Sequence, residues 1–407
     1  MGASYFLRIA GNRPFHQPSA ILDRGRDSLS RFGYLRSSAI LFDNEARQAA
    51  IAHIAKIDKA YLRTGLFRYG LLTITQNEEQ LMRTIRWGII GCGNVTEVKS
   101  GPGFQKATDS ALVAVMRRDG ALAADYAQRH GVPKWYDDAQ ALIDDPNVDA
   151  VYIGTPPNAH AAYTLAVAKA GKPVYVEKPM ALNHAECQAM VAACKAAGVP
   201  LWVAYYRRCL PRFVKVKELI EAGAIGTPRT VTVRFYRDWK QPTHGQLPWR
   251  VQPEIAGGGF FVDLAAHTFD YLDYFLGPIA QVQGYAGNQG GYYAAEDVVA
   301  GSFVFASGAH GTGIWCFDSC ERLDETEIIG NRGKLTFSSF GTEPIRLTTA
   351  ESTIDFPEPT PDHVQQPLIQ TIVDELNGLG QCPSTGESAA RTSWVMDQML
   401  QGYYGQK

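Results

Sequence analysis

The sequence predicts an α/β chain: a doubly wound parallel sheet comes first, followed by an α/β domain built on a large open antiparallel sheet. Three observations carry this. An apolar run ends in a glycine-rich turn over residues 85–96, and apolar strands then alternate with helical segments as far as residue 205. Beyond residue 212, strand-like runs follow one another with little helix between them. The chain divides accordingly into an extension (1–81), a parallel-sheet domain (82–207) and a second domain (208–407).

The extension is rich in Arg, Ser and isolated aromatics, with only a modest helical pattern from Asn44 to Leu62. Met82 stands directly before the first strand. Either it is the true start of translation and the upstream stretch is a disordered artefact, or residues 1–81 form a real accessory arm.

In the first domain, Ile85 to Ile90 reads as a strand buried on both faces, and Gly91-Cys92-Gly93-Asn94-Val95-Thr96 follows as a tight turn into a helix. That helix, Val95 to Lys106, is interrupted near Gly101-Pro102-Gly103. Ala111 to Met116 is the second strand, Ala121 to His130 a helix closed by Gly131, and Trp135-Tyr136 with the helix Asp138 to Ile143 continue the alternation. Ala150 to Gly154 leads into Thr155-Pro156-Pro157-Asn158-Ala159-His160 and a helix from Ala161 to Ala170. Pro173 to Val176 delivers Glu177-Lys178-Pro179, and the helix Asn183 to Ala197 and strand Leu201 to Tyr205 complete the domain. In such sheets ligands bind beyond the carboxyl ends of the strands, where these motifs sit.

In the second domain, Arg229 to Tyr236, Val298 to Ala306, Gly311 to Phe317, Thr326 to Ile329 and Lys334 to Phe337 read as strands, interrupted by one apolar helix from Gly259 to Leu276. A broad sheet bearing aromatic residues seldom stays bare, so its free face is expected to bury against another subunit, as a homodimer or homotetramer.

Composition sets bounds. A chain of 407 residues can hold two full cores, and 45% hydrophobic with 20% charged residues is ordinary for a soluble globular protein. A formal net charge of -2 offers no basic surface for nucleic acid or an anionic membrane. No apolar run is long enough to span a bilayer, and the N-terminus lacks a basic segment leading into an apolar core, so a cytoplasmic protein is expected. Seven cysteines without a paired framework read as reduced thiols. Cys316 and Cys320 have half of a metal-site spacing, but no matching pair completes it, and no metal is expected.

The chemistry is concentrated at a few positions. Gly91 permits a turn too tight for a side chain, Gly93 lets the backbone approach a pyrophosphate, and the helix beginning at Asn94 and Val95 offers free N–H groups to the anion. At the end of the second strand, where an acidic residue would hold the adenosine ribose of NAD, stand Arg117 and Arg118, which suit a 2′-phosphate. NADP is therefore favoured over NAD, against the plainer reading of two solvated arginines. Lys178 ends an apolar strand, where its ammonium can polarise a carbonyl or simply pair with Glu177. Asp263 and His267, four residues apart, project from one face of an apolar helix. A carboxylate beside an imidazole orients it and raises its basicity, making His267 a general acid and base, unless the pair merely satisfies itself in the core.

Taken together, these motifs resemble the glucose-fructose oxidoreductase and inositol 2-dehydrogenase family, written Gfo/Idh/MocA. The resemblance covers about residues 85–400: the glycine turn, Thr155-Pro156-Pro157 with His160, Glu177-Lys178-Pro179, Gly257-Gly258-Gly259 leading to Asp263 and His267, and the tail from Pro383 to Ala389. It implies a Rossmann domain, a C-terminal substrate-binding and oligomerisation domain, and hydride transfer between a nicotinamide and a hydroxyl-bearing carbon of a sugar, polyol or anhydro-sugar. Lys178 would position the reacting oxygen, His267 would exchange its proton, and Asp263 would hold substrate hydroxyls or the histidine. A cis bond before Pro179 would aim Lys178 into the cleft. Arg117 and Arg118 would hold the adenosine end, and Thr155, Pro156, His160 and Glu177 the ribose and nicotinamide.

Thr96 departs from the Gly or Ala usual there, and its branch is expected to shift the pyrophosphate slightly. Tyr206, Arg207, Arg208, Trp249 and Arg250 are candidate substrate contacts or loop braces, with Lys99 a weaker candidate. Two other activities fit the same resemblance: a glycosidase using a tightly held nicotinamide, for which no second base stands out, and a non-catalytic dinucleotide-binding regulator, against which Lys178, Asp263 and His267 together argue.

Overall fold

The computed structural model describes residues 82–238 and 246–405. The expectations for residues 1–81 lie outside them.

Six parallel strands make the first sheet: β1 (Ile85–Ile90), β2 (Ser110–Met116), β3 (Lys134–Tyr136), β4 (Ala150–Ile153), β5 (Val174–Val176) and β6 (Leu201–Val203). Their order is β3-β2-β1-β4-β5-β6, so the winding reverses between β1 and β4, and a crevice opens at the carboxyl ends of those two strands. Strands β4 and β5 are buried along their whole length, which is why they read as continuous apolar runs. Trp87, Phe104, Tyr152 and Tyr175 interlock beside the sheet, with Trp87 and Phe104 centred 4.8 Å apart and Tyr152 and Tyr175 5.0 Å apart.

The helix expected from Val95 to Lys106 is two helices, α1 (Asn94–Val98) and α2 (Gly101–Lys106). Pro102 lies in the first turn of α2, where its missing N–H has no partner to lose, so the proline opens a helix rather than interrupting one. Next come α3 (Gly120–His130), α4 (Ala139–Asp144), α5 (His160–Lys169) and α6 (His184–Ala197). Asp119, Asp138 and Asn183 cap three of them by accepting from Leu122 N, Ala141 N and Glu186 N.

The second sheet has eight strands in the order β14-β13-β12-β11-β7-β10-β9-β8. These are β7 (Pro228–Tyr236), β8 (Ile279–Gly287), β9 (Val298–Phe305), β10 (His310–Cys316), β11 (Leu323–Gly330), β12 (Gly333–Phe337), β13 (Ile345–Thr349) and β14 (Thr353–Phe356). It is antiparallel except where β10 lies parallel to β7, because the chain leaves the sheet after β7. That excursion contains α8 (Pro253–Ala256) and α9 (Phe260–Leu276). Helices α7 (Pro211–Glu221), α10 (Gln366–Leu376) and α11 (Gly386–Tyr404) complete the fold. Among the described residues, no helix is long and apolar enough to cross a membrane.

Helix α9 packs on the inner face of the second sheet through Phe261 and Phe269 against Trp315, at 5.2 and 5.3 Å between ring centres. The tail then returns to the first sheet. Ser384 Oγ donates to Val203 O at 2.7 Å and Val203 N donates to Ser384 O at 3.2 Å, covering the edge of β6.

Arg208, a candidate for either a substrate contact or a brace, is a brace at this junction. Its guanidinium is buried, donates to Asp270 Oδ1 at 2.8 Å and Asp273 Oδ1 at 3.2 Å, and reaches Pro383 O at 3.0 Å, while Arg391 holds the other side of Asp273. A charged group so placed must be paired inside the protein and cannot also serve a ligand. Replacing Asp270 by Ala would strand that charge. The expected loss is about 3–5 kcal/mol of stability, read as a lower urea midpoint.

Candidate active site

A cleft of about 760 Å³ opens at the carboxyl ends of β1, β2, β4 and β5 and runs under the first turns of α9. Its floor is the glycine turn. Gly91 has φ +91°, and a Cβ there would meet Thr155 Cγ2 at 2.7 Å and Thr155 N at 2.9 Å, so only glycine fits. At Gly93 a Cβ would meet no protein atom nearer than 4.0 Å. The room that glycine leaves there is on the ligand side, as a cradle for a pyrophosphate requires. Thr96 does not disturb this cradle. It is buried, its hydroxyl donates to Gly93 O at 2.8 Å, and its carbonyl accepts from Tyr126 at 2.9 Å, so its branch packs behind the turn.

Asn94 and Val95 line the cleft beside the turn, and Arg117 and Arg118 line it at the end of β2. Arg117 Nη1 donates to Cys92 O at 3.5 Å, a long contact that leaves most of the guanidinium available. Asp119, which follows them and also lines the cleft, gives one carboxylate oxygen, Oδ1, to the cap of α3. Thr155 and Pro156 form the opposite wall.

His160, expected against the cofactor, is not in the cleft. It is fully buried, with Nε2 2.7 Å from Thr155 O and Nδ1 3.0 Å from Pro179 O, and therefore clips the Thr155 loop to the Lys178-Pro179 segment. Glu177 lines the cleft, but its carboxylate is already engaged. It accepts from Tyr152 OH at 2.7 Å, from Lys178 N at 3.0 Å and from Gln365 Nε2, which makes it a brace rather than a free acceptor for a ribose.

The Lys178-Pro179 peptide is cis, as the resemblance implied. Lys178 Nζ donates to Asp263 Oδ1 at 2.6 Å and to Asp263 O at 2.9 Å. An ammonium has three N–H donors, so one remains for a ligand oxygen. The other carboxylate oxygen of Asp263 accepts from Arg250 Nε at 3.2 Å. Burial alone would raise the Asp263 pKa, but Lys178 and Arg250 outweigh it and hold the group ionised below its ordinary range.

His267 is 2% exposed, and its partner differs from the one expected. The Asp263 carboxylate turns to Lys178 and Arg250, leaving His267 Nδ1 buried with no hydrogen-bond partner among the described residues. The expected rise in basicity is accordingly reversed. Burial, reinforced by Arg207, Lys178 and Lys99, pushes the imidazolium pKa well below 6.5, so the ring is neutral at pH 7. Tyr206 and Phe340 stand edge-on to it, at 5.2 and 5.9 Å between ring centres.

Tyr206, Trp249, Arg250 and Lys99 line the cleft. Burial would raise the Tyr206 phenol, but Arg207, Lys99 and Lys178 draw its pKa below the ordinary value. Arg207 lies behind the wall rather than in it, 5% exposed, with Nε donating to Ser339 O at 3.0 Å and its guanidinium 4.3 Å from the Phe340 ring centre.

Sequence reasoning missed three contributors. Arg237 and Phe340 line the cleft, and Glu296 fixes the start of α9. Both oxygens of Glu296 accept from Gly259 N, at 2.8 and 2.9 Å, and one also accepts from Tyr404 at 2.6 Å, anchoring the helix that carries Asp263 and His267. Arg237 had a usable signal, since it directly follows a predicted strand, whereas Phe340 and Glu296 sit in connections without a motif. Among the described residues no group of three or more His, Cys, Asp or Glu could hold a metal ion.

The family model described as an oxidoreductase family with an NAD-binding Rossmann fold, GFO/IDH/MocA, matches residues 85–205, and the model of the GFO/IDH/MocA C-terminal domain matches residues 213–336. An oxidoreductase of Formosa agariphila is 39% identical over 77% of this chain and 97% of its own. The 1,5-anhydro-D-fructose reductase of Ensifer adhaerens is 30% identical over 74% of this chain and 91% of its own. A structure of levoglucosan dehydrogenase in complex with NADH and levoglucosan superposes with a TM-score of 0.71 at 24% identity, covering 79% of this chain and 98% of that one, and shares its fold. With both domain models matched and near-full-length relatives, this chain belongs to the GFO/IDH/MocA family of oxidoreductases.

Proposed function

We propose that the protein is an NADP(H)-dependent dehydrogenase or reductase acting at a hydroxyl or carbonyl carbon of a sugar, polyol or anhydro-sugar. The observation that carries this reading is the meeting of Lys178, Asp263 and His267 in the cleft that starts at the glycine turn. The names of the relatives, an anhydro-sugar reductase and a levoglucosan dehydrogenase among them, support the substrate class.

When bound, the nicotinamide supplies the hydride acceptor or donor. Lys178, held on Asp263, directs its remaining N–H to the reacting oxygen and favours the charge that develops there. His267, neutral and lining the cleft, accepts the hydroxyl proton in oxidation and returns it in reduction. Trp249 and Tyr206 offer aromatic faces to the sugar. Support for NADP comes from Arg117 and Arg118, which line the cleft beside the turn.

We extend the reading to a homodimer or homotetramer through the second sheet. Tyr285, Ala300 and Ile314 lie in one register row across β8, β9 and β10, and Tyr285 is 71% exposed.

In fluorescence titration the protein should prefer NADPH to NADH, and Arg117→Asp should weaken NADPH by roughly 10-fold or more, the worth of one charge-assisted contact. Equal binding of both cofactors, unaffected by the change, would refute the assignment. Because the His267 pKa is lowered, its proton-accepting form persists as pH falls, and oxidation should continue through pH 6.5 and decline only below it. An acid limb centred at or above pH 6.5 would remove His267 from that role. Sedimentation velocity should find a dimer or larger species that Tyr285→Arg dissociates, and a monomeric parent protein would sink the oligomer.

A further inference from the structure

Around Asp263 the cleft has more positive charge than a neutral sugar needs. Lys99, Lys178, Arg237 and Arg250 line it there, against the carboxylates of Glu177 and Asp263. Lys178 and Arg250 share Asp263, and Glu177 is engaged by its own three donors. Lys99 follows α1, close enough to act on Asp263, Tyr206 and His267, and it makes no ion pair among the described residues. Arg237 is the guanidinium left without a carboxylate.

Arg237 is the first residue after β7 and is half-buried. Its guanidinium lies over Phe235 at 5.0 Å and Phe340 at 5.5 Å, with no carboxylate in ion-pair range among the described residues. Burial lowers its pKa, and the charges of Asp324, Asp263 and the adjacent Asp238, opposed by Arg322, do not restore it. Behind the same wall is Arg207, whose Nη1 is buried with no partner among the described residues and whose charge adds to the positive potential of the cleft. A half-buried guanidinium that lines a cleft without an ion pair is placed to receive an anion.

We propose that the substrate is a carboxylate-bearing sugar, an aldonic or uronic acid, whose carboxylate docks on Arg237 while its reacting hydroxyl lies between Lys178 and His267. The assignment rests on the oxidoreductase reading above. Geometry suits it: the Phe340 ring is 5.5 Å from the Arg237 guanidinium and 5.9 Å from the His267 ring, so one aromatic side chain separates the anion end from the proton acceptor. A planar guanidinium takes a carboxylate through two parallel N–H···O bonds, a fork that the Lys99 ammonium does not offer. A phosphate ester would bring about twice the charge.

The test compares matched pairs, D-glucuronate with D-glucose and D-gluconate with D-glucitol, for cofactor reduction by the full-length protein with NADP⁺. The acid of a pair should be favoured in kcat/KM by roughly 10- to 100-fold, mainly through KM. Arg237→Met should lower the acid far more than its neutral parent, and Arg237→Lys should restore part of the difference. NADPH affinity of each variant checks that the fold persists. Equal use of acid and parent, or equal loss from both in Arg237→Met, overturns the proposal, as does a preference for D-glucose 6-phosphate over D-glucuronate. Should no sugar change the cofactor absorbance, the oxidoreductase reading fails. The carboxylate site is then read separately, as a rise in Tm of the NADP-bound protein with D-glucuronate and not with D-glucose, and the absence of that rise overturns it too.

Discussion

The ion pair between Lys178 and Asp263 joins the two halves of this protein. Lys178 follows a strand of the first sheet and Asp263 lies in the first turn of a helix packed on the second, and their 2.6 Å contact holds the cleft to one width. Each partner is braced from behind. Glu177 accepts from the Lys178 main chain, and Glu296 pins the helix at Gly259, four residues before Asp263. A buried pair contributes little net stability against apolar neighbours of the same size, whereas removing one member costs about 3–5 kcal/mol. Its value is therefore positional. It holds an ammonium with one free donor at a fixed point in a partly dry site.

The same pair explains the state of His267. An aspartate four residues away on a helix is within reach of a histidine, but a lysine and an arginine compete for its two oxygens and win. The imidazole is left among rings and cations, where its charged form is disfavoured. The ring is therefore held in its neutral form, with one nitrogen, Nδ1, sealed in the core.

The first sheet was legible because its strands, the short and exposed β3 apart, are apolar runs bounded by glycine, proline or capping side chains. The glycine turn, Lys178 and Asp263 were legible as motifs, and the cis bond followed from the family resemblance. What escaped depended on partners remote in sequence. The helix at 386–404 buries a face that includes Ser388, Ala389 and Thr392, so its apolar periodicity is weak, whereas the one at 366–376 has a regular apolar face, Leu368, Ile369, Ile372 and Val373, but carries no motif. His160 and Arg208 have the residue types of ligand-binding groups, and only the burial of their polar atoms against main chain or carboxylate shows that they are structural. The opposite error hid Arg237, which directly follows a predicted strand but borders no motif, and whose lack of an ion pair shows only when the charges around the cleft are matched.

Gln365 has a consequence for the order in which the site is made. It accepts from Tyr175 at 2.9 Å and donates to Glu177, reaching from just before α10 into the sheet near Lys178. Ser384 likewise closes the edge of β6. During synthesis the ribosome releases the parallel sheet long before these residues emerge. A nascent chain that has already produced Lys178 and Asp263 thus still lacks a donor to Glu177 and the cover on its last parallel strand. The cleft reaches its finished geometry only when the final stretch of the polypeptide folds back onto the domain made first.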